Sequence, residues 1–248
     1  MSDVNPNGSM SFGSRLFDDS QLAEIHNASL EILRRTGTRV HLDEALELLS
    51  AADCTISEGN LVKFPASVVE QALKTAPSKI VLYGREGDPR VHLEGRRTFF
   101  GTGSDLPNIL DLETGERRLS LLSDVADTAR LADSLPNLDF VMSMALPSDV
   151  APATSDRHSF LAMIENTTKP VVFTAWDEGG LADIIAMAEV VAGGVGQLSL
   201  EPFLLAYLEP TSPLQHSETV LRKMMMMADN RLPFVYAPGP VEGASAPV

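Results

Sequence analysis

The stretch Phe203-Leu204-Leu205-Ala206-Tyr207-Leu208-Glu209-Pro210-Thr211-Ser212-Pro213 decides the fold. Five apolar residues and a tyrosine read as a strand covered on both faces, the kind found in parallel sheets. The strand runs directly into a polar loop braced by prolines, so its carboxyl end presents Glu209 and Thr211. In parallel α/β folds ligands and chemistry sit at that end of the strands.

Working outward, strands expected at 98–100, 138–144, 170–174, 203–208 and 233–236 alternate with helices expected at 123–134, 155–166, 179–192 and about 215–228. The later strands begin at 138, 170, 203 and 233, spacings of 32, 33 and 30 residues. Each step is one strand plus one crossover helix, and right-handed crossovers of that length place strands parallel and side by side. Two closures compete, an open doubly wound sheet and a (β/α)8 barrel cut short. The barrel is favoured, because no glycine-rich dinucleotide fingerprint follows the first strand and every strand end is polar in the same sense. The fold expected is therefore α/β, a partial TIM barrel over 97–248.

The region 20–96 reads as a mostly helical layer before the barrel. Ser20 is placed as the N-cap of a helix that Gly37 closes, and Asp43 as the cap of a second helix. Ser57-Glu58-Gly59-Asn60 turns a small hairpin, Pro65 opens a third helix, and short strands follow near 80–83 and 91–93. Thr114-Gly115 turns another hairpin. Residues 1–19 are expected to be a disordered lead-in without the basic start and apolar core of a secretion signal.

The chain has 248 residues and is 44% apolar, with no apolar run near the roughly 20 residues of a membrane helix. A soluble, cytoplasmic protein is expected, with no membrane partner. A net charge of −15 disfavours nucleic acid and is compatible with a cationic small molecule. The single cysteine, Cys54, excludes an internal disulfide and a cysteine-cluster zinc site, and reads as packing.

Parallel strands would bring Gly101 to Asp105, Met142 to Met144, Thr174 to Asp177, Tyr207 to Glu209 and Tyr236 to Pro238 to one face. That set holds no histidine pair, cysteine or carboxylate cluster, so a metal hydrolase, a nucleophilic triad and a carboxylate pair are poorly supported. It does hold aromatic rings and a carboxylate, the components of a cage for a quaternary or protonated amine. The candidate binding residues are Glu209, Tyr207, Trp176, Tyr236, Thr211, Ser143, Gly101 and Gly103; no catalytic residue and no metal ligand is assigned. Against each stands a plainer reading: Tyr207 as core, Glu209 as a structural partner, Trp176 as lid or packing, and Gly101 and Gly103 as turn glycines. His158, His216 and the four methionines Met224 to Met227 read as packing or surface.

Several motifs, in order, resemble the trimethylamine methyltransferase (MttB) family. They are Phe100-Gly101-Thr102-Gly103, Pro107-Asn108-Ile109-Leu110-Asp111-Leu112-Glu113-Thr114-Gly115, Pro136-Asn137-Leu138-Asp139-Phe140-Val141-Met142-Ser143, Asn166-Thr167-Thr168-Lys169-Pro170, Glu209-Pro210-Thr211-Ser212-Pro213-Leu214 and Tyr236-Ala237-Pro238-Gly239-Pro240. The helix around Glu24-Ile25-His26-Asn27-Ala28 joins them. The resemblance implies a (β/α)8 barrel that demethylates trimethylamine or a betaine and passes the methyl group to the cobalt of a partner corrinoid protein, with no cofactor bound directly. It also implies chains about twice this length, pyrrolysine in the second half of the true trimethylamine enzymes, and a fragment here that does not turn over alone. A non-catalytic barrel that binds quaternary amines is the alternative, and homo-oligomerisation stays open.

Overall fold

The computed structural model describes Ser9, Met10 and residues 15–246. Most of the expected lead-in over 1–19 lies outside the described residues, and Asp19 already belongs to a helix. The chain divides into two units, one built mainly from Lys79–Tyr207 with Met226–Val235, the other from Phe12–Ser78, Leu208–Met225 and Tyr236–Val248. No described helix is long and apolar enough to cross a membrane.

The second unit starts with the helix Asp19–Arg35. Its cap is Asp18, two residues before the expected Ser20: the Asp18 carboxylate accepts the Gln21 amide at 2.9 Å, and the Gln21 side chain accepts the Asp18 amide at 3.0 Å. This reciprocal pair satisfies two amides that a helix start leaves orphaned, and Ser20 then falls inside the first turn. Gly37 ends the helix at φ +74°. Strand Thr38–Val40 follows and pairs antiparallel with Leu61–Lys63, which pairs antiparallel with Thr55–Ser57 across a turn in which Glu58 and Gly59 have positive φ. On its other side Thr38–Val40 takes a parallel strand, Gln215–His216. The helix expected from about 215 therefore starts at Glu218 and runs to Asp229, because the backbone of Gln215 and His216 is committed to the sheet. Val40, Leu42, Ala45, Cys54 and Val62 form the core, joined by Leu221 and Met225. Cys54 is packing, as its apolar setting implies.

In the first unit the decisive strand is Leu204–Leu208, buried on both faces except at Tyr207. It pairs in parallel with Val171–Phe173. Strand Phe234–Tyr236 lies on its other side. There the Ala206 amide reaches the Pro233 carbonyl and the Ala237 amide reaches the Leu208 carbonyl, so the bonds advance together along both strands, a parallel ladder. Val141 bridges Val171 in parallel and Gly101 bridges Phe140 in parallel. Neighbours thus follow chain order without the reversal that marks a doubly wound sheet. The architecture is α/β, and the described strands do not close into a barrel.

The expected strands at 98–100 and 138–144 are reduced to short pieces. Arg97–Thr98 pairs with Ser9–Met10, and 138–144 contributes only isolated bridges. Side chains replace the ladder there: the Thr102 hydroxyl accepts the Met142 amide at 2.6 Å, the Asp139 carboxylate accepts the Phe100 amide at 2.8 Å, and Met144 turns to φ +55°.

Helices Leu122–Ser134, Ser155–Asn166 and Glu178–Ala192 pack in succession. Asp177 caps the last of these by accepting the Gly180 amide at 2.7 Å. The first begins one residue before the expected Ser123, with Asp124 accepting the Leu121 amide, and the buried Lys169 ammonium ends it by donating to the Ala132 and Leu135 carbonyls at 2.6 and 2.7 Å. A helix unforeseen in the sequence, Val195–Leu200, follows the left-handed Gly193. The antiparallel pair Lys79–Tyr83 and Pro89–Glu94 covers one sheet face, where Leu82 and Val91 pack with Met142, Val172 and Leu205.

Gly37 tests this account of the second unit. A Cβ there would meet the Val62 carbonyl oxygen, in a backbone region that L side chains avoid. Gly37→Ala is expected to lower the unfolding free energy by about 2–4 kcal/mol in urea denaturation, from left-handed strain plus overpacking.

Candidate functional site

At the carboxyl ends of the first unit's strands the loop 101–105 folds over the end of its neighbour. The Thr102 hydroxyl donates to the Met142 carbonyl at 2.7 Å, the Gly103 amide donates to the Met144 sulfur at 3.2 Å, and the Met144 amide returns to the Gly103 carbonyl. Gly101 lies against the Phe140 ring, which a Cβ at 101 would overlap. This contact gives Gly101 a packing role, because the loop approaches the ring closer than a side chain would permit, whereas a Cβ at Gly103 would meet only the Met144 sulfur at 3.9 Å.

The loop ends at Asp105. Its Oδ1 accepts the Ser143 hydroxyl and its Oδ2 accepts the Thr174 hydroxyl at 2.7 Å. One carboxylate therefore ties the ends of three successive segments. Ser143 itself is buried, and the Met144 backbone beside it carries left-handed strain. The sequence reading placed Asp105 on this face without singling it out. No local signal marks it, since its partners stand 38 and 69 residues away.

Trp176 follows Thr174 by two residues. Its indole N–H donates to the Ser155 hydroxyl at 2.8 Å and its amide donates to Asp156 at 3.0 Å, so the ring is fixed while 56% of the residue stays exposed. Tyr207 is half-buried and packs on the cluster of Leu205, Val172 and Met142. Of the predicted residues, the first unit thus brings Gly101, Gly103 and Ser143 into one bonded group, with Trp176 anchored separately.

Glu209, Thr211 and Tyr236 belong to the second unit. Glu209 and Thr211 are exposed, and Thr211 bridges Gln215. Tyr236 meets His216, with hydroxyl and Nδ1 2.6 Å apart and the rings stacked at 5.8 Å. Burial pushes the Tyr236 phenol up to about 12. Burial lowers the His216 pKa, and the neighbouring His41 lowers it further. At the opposite, amino-terminal end of strand Leu204–Leu208 lies a groove of about 450 Å³ lined by Arg85, Glu86, Gln197, Glu201 and Phe203 among others. Among the described residues no three histidine, cysteine or acidic side chains stand together as a metal-binding group.

Parallel strands in chain order with helices between them and polar groups at their carboxyl edge define an α/β scaffold. The profile of the family described as trimethylamine methyltransferase (MTTB) matches residues 10–248, and the chain belongs to that family. The chain is 33% identical over 205 residues to a trimethylamine methyltransferase MttB of Desulfitobacterium hafniense, covering 82% of this chain and 41% of that protein. It is 25% identical to a glycine betaine methyltransferase of the same species, covering 94% and 48%, and 30% identical to a trimethylamine methyltransferase MttB of Methanosarcina barkeri, also covering 94% and 48%. The chain spans about half the length of the curated relatives it matches.

The His216–Tyr236 pair carries a testable consequence. A histidine whose folded pKa lies below its unfolded value of about 6.5 binds fewer protons folded than unfolded, so its share of stability is complete above that pH and is lost as pH falls below it. Thermal unfolding between pH 7 and 5 is expected to show a smaller stability loss in His216→Gln than in the parent protein. Equal losses would contradict the buried, neutral imidazole.

Proposed function

We propose that the full-length protein is a methyltransferase that removes a methyl group from trimethylamine or a quaternary amine such as glycine betaine and delivers it to a corrinoid carried by a partner protein in the cytoplasm. The observation that carries this reading is the family match over 10–248, with relatives named for trimethylamine and for glycine betaine. The strands in chain order are read as the opening strands of a (β/α)8 barrel, completed by the part of the family length that this chain does not span.

The corrinoid is a substrate in this proposal: cobalt(I) supplies the electron pair for the new carbon–cobalt bond, while the carbon–nitrogen pair leaves with the amine. The chain's own task is to hold a cationic methyl group in line and away from water. Trp176 offers a fixed aromatic face to N-methyl groups, whose positive edge suits the ring quadrupole. Tyr207 adds a half-buried ring in the same unit.

The test supplies full-length protein with a reduced corrinoid protein and a panel of methylated amines, and follows the cobalt absorbance. Methyl transfer from at least one amine is expected. Binding without transfer would favour a non-catalytic amine-binding barrel, and neither would overturn both readings. Trp176→Ala is expected to weaken amine affinity by about 2- to 30-fold, the range of a cation–π contact.

A further inference from the structure

We propose that Asp105, held by Ser143 and Thr174, is the carboxylate that binds the cationic head of the methylated amine; this rests on the function proposed above. Three observations in the first unit support it. The first is charge. Several carboxylates of this unit are ion-paired: Arg118 binds Asp111 and Asp124, and Arg157 binds Asp156. Asp105 is held by two neutral hydroxyls, and among the described residues no lysine, arginine or histidine forms an ion pair with it. A half-buried negative charge without a counterion is a ready partner for a cation that brings its own charge.

The second is lone-pair geometry. An ionised carboxylate has about four acceptor sites. The Ser143 and Thr174 hydroxyls fill one on each oxygen, so the group is oriented but not saturated. A quaternary ammonium needs no hydrogen bond and is attracted through the methyl groups that spread its charge.

The third is position. Ser143 and Thr174 end two successive parallel segments, so the carboxylate is drawn across the edge where such folds bind ligands. The loop that carries it is pinned by Thr102 to both the amide and the carbonyl of Met142. The left-handed Met144 beside Ser143 is strain stored next to this group.

The test measures binding to full-length protein by calorimetry, with tetramethylammonium, choline and glycine betaine as cations and 3,3-dimethylbutan-1-ol as the uncharged isostere of choline. Asp105→Asn keeps an acceptor and loses the charge. It is expected to weaken choline by about 10- to 100-fold while the isostere changes by less than about threefold. Unchanged choline affinity, or equal losses for both probes, would overturn the role. If Asp105→Asn does not fold, Ser143→Ala with Thr174→Val removes the clamp and keeps the charge: the parent's preference for choline over its isostere is expected to survive, and its disappearance would overturn the proposal. A parent protein that binds none of the three cations would instead overturn the methylated-amine reading itself.

Discussion

Backbone hydrogen bonding along strand Leu204–Leu208 is the constraint from which the rest of the first unit follows. Leu204, Leu205, Ala206 and Leu208 are buried, and Leu204 and Leu205 lie on opposite faces of the sheet. Amides that lose water on both faces must be paired in the sheet, which requires neighbours on each side. Val171–Phe173 and Phe234–Tyr236 are those neighbours, both parallel to it. Parallel neighbours cannot be joined by a tight turn, so a crossover helix must separate each pair. One face is then covered by the 79–94 hairpin and the other is left to the helices. What remains for polar chemistry is the edge where the strands end.

At that edge the bonds are local in space and distant in sequence. The Thr102 hydroxyl substitutes for a ladder partner, and the Asp105 carboxylate gathers Ser143 and Thr174. The ladder thins out where these side chains take over, which is why 138–144 is not a continuous strand. Loss of regular pairing and appearance of a polar group are one event: an amide bonded to a hydroxyl is free of the sheet, and the chain can turn. The second unit has its own economy of the same kind, in which Gln215–His216 leaves the helix to pair with Thr38–Val40 and Tyr236 closes on His216.

The repeat of strand and helix was legible because it rests on local signals, namely apolar runs of strand length at a nearly constant spacing. The Gly37 stop and the Glu58–Gly59 turn were legible too, since positive φ favours glycine and its neighbours in short turns. What sequence could not give was any feature fixed by a remote partner. Asp18 outcompeted Ser20 as a cap because Gln21 answers it reciprocally. Gln215 and His216 carry helix-compatible side chains, yet a strand 176 residues away (Gln215 opposite Arg39, His216 opposite Val40) claims their backbone. Asp105 was hidden for the same reason, whereas Glu209 drew notice by following the apolar strand directly and proves exposed.

Cationic methyl groups are proposed to bind at the carboxyl edge of the parallel strands, against Asp105. A crystal structure of the full-length protein soaked with tetramethylammonium tests it most directly. The cation is expected within about 6 Å of the Asp105 carboxylate, the range over which charge and ring-face contacts act. A cation bound elsewhere, with Asp105 still clamped by Ser143 and Thr174 and no ligand beside it, would contradict the claim.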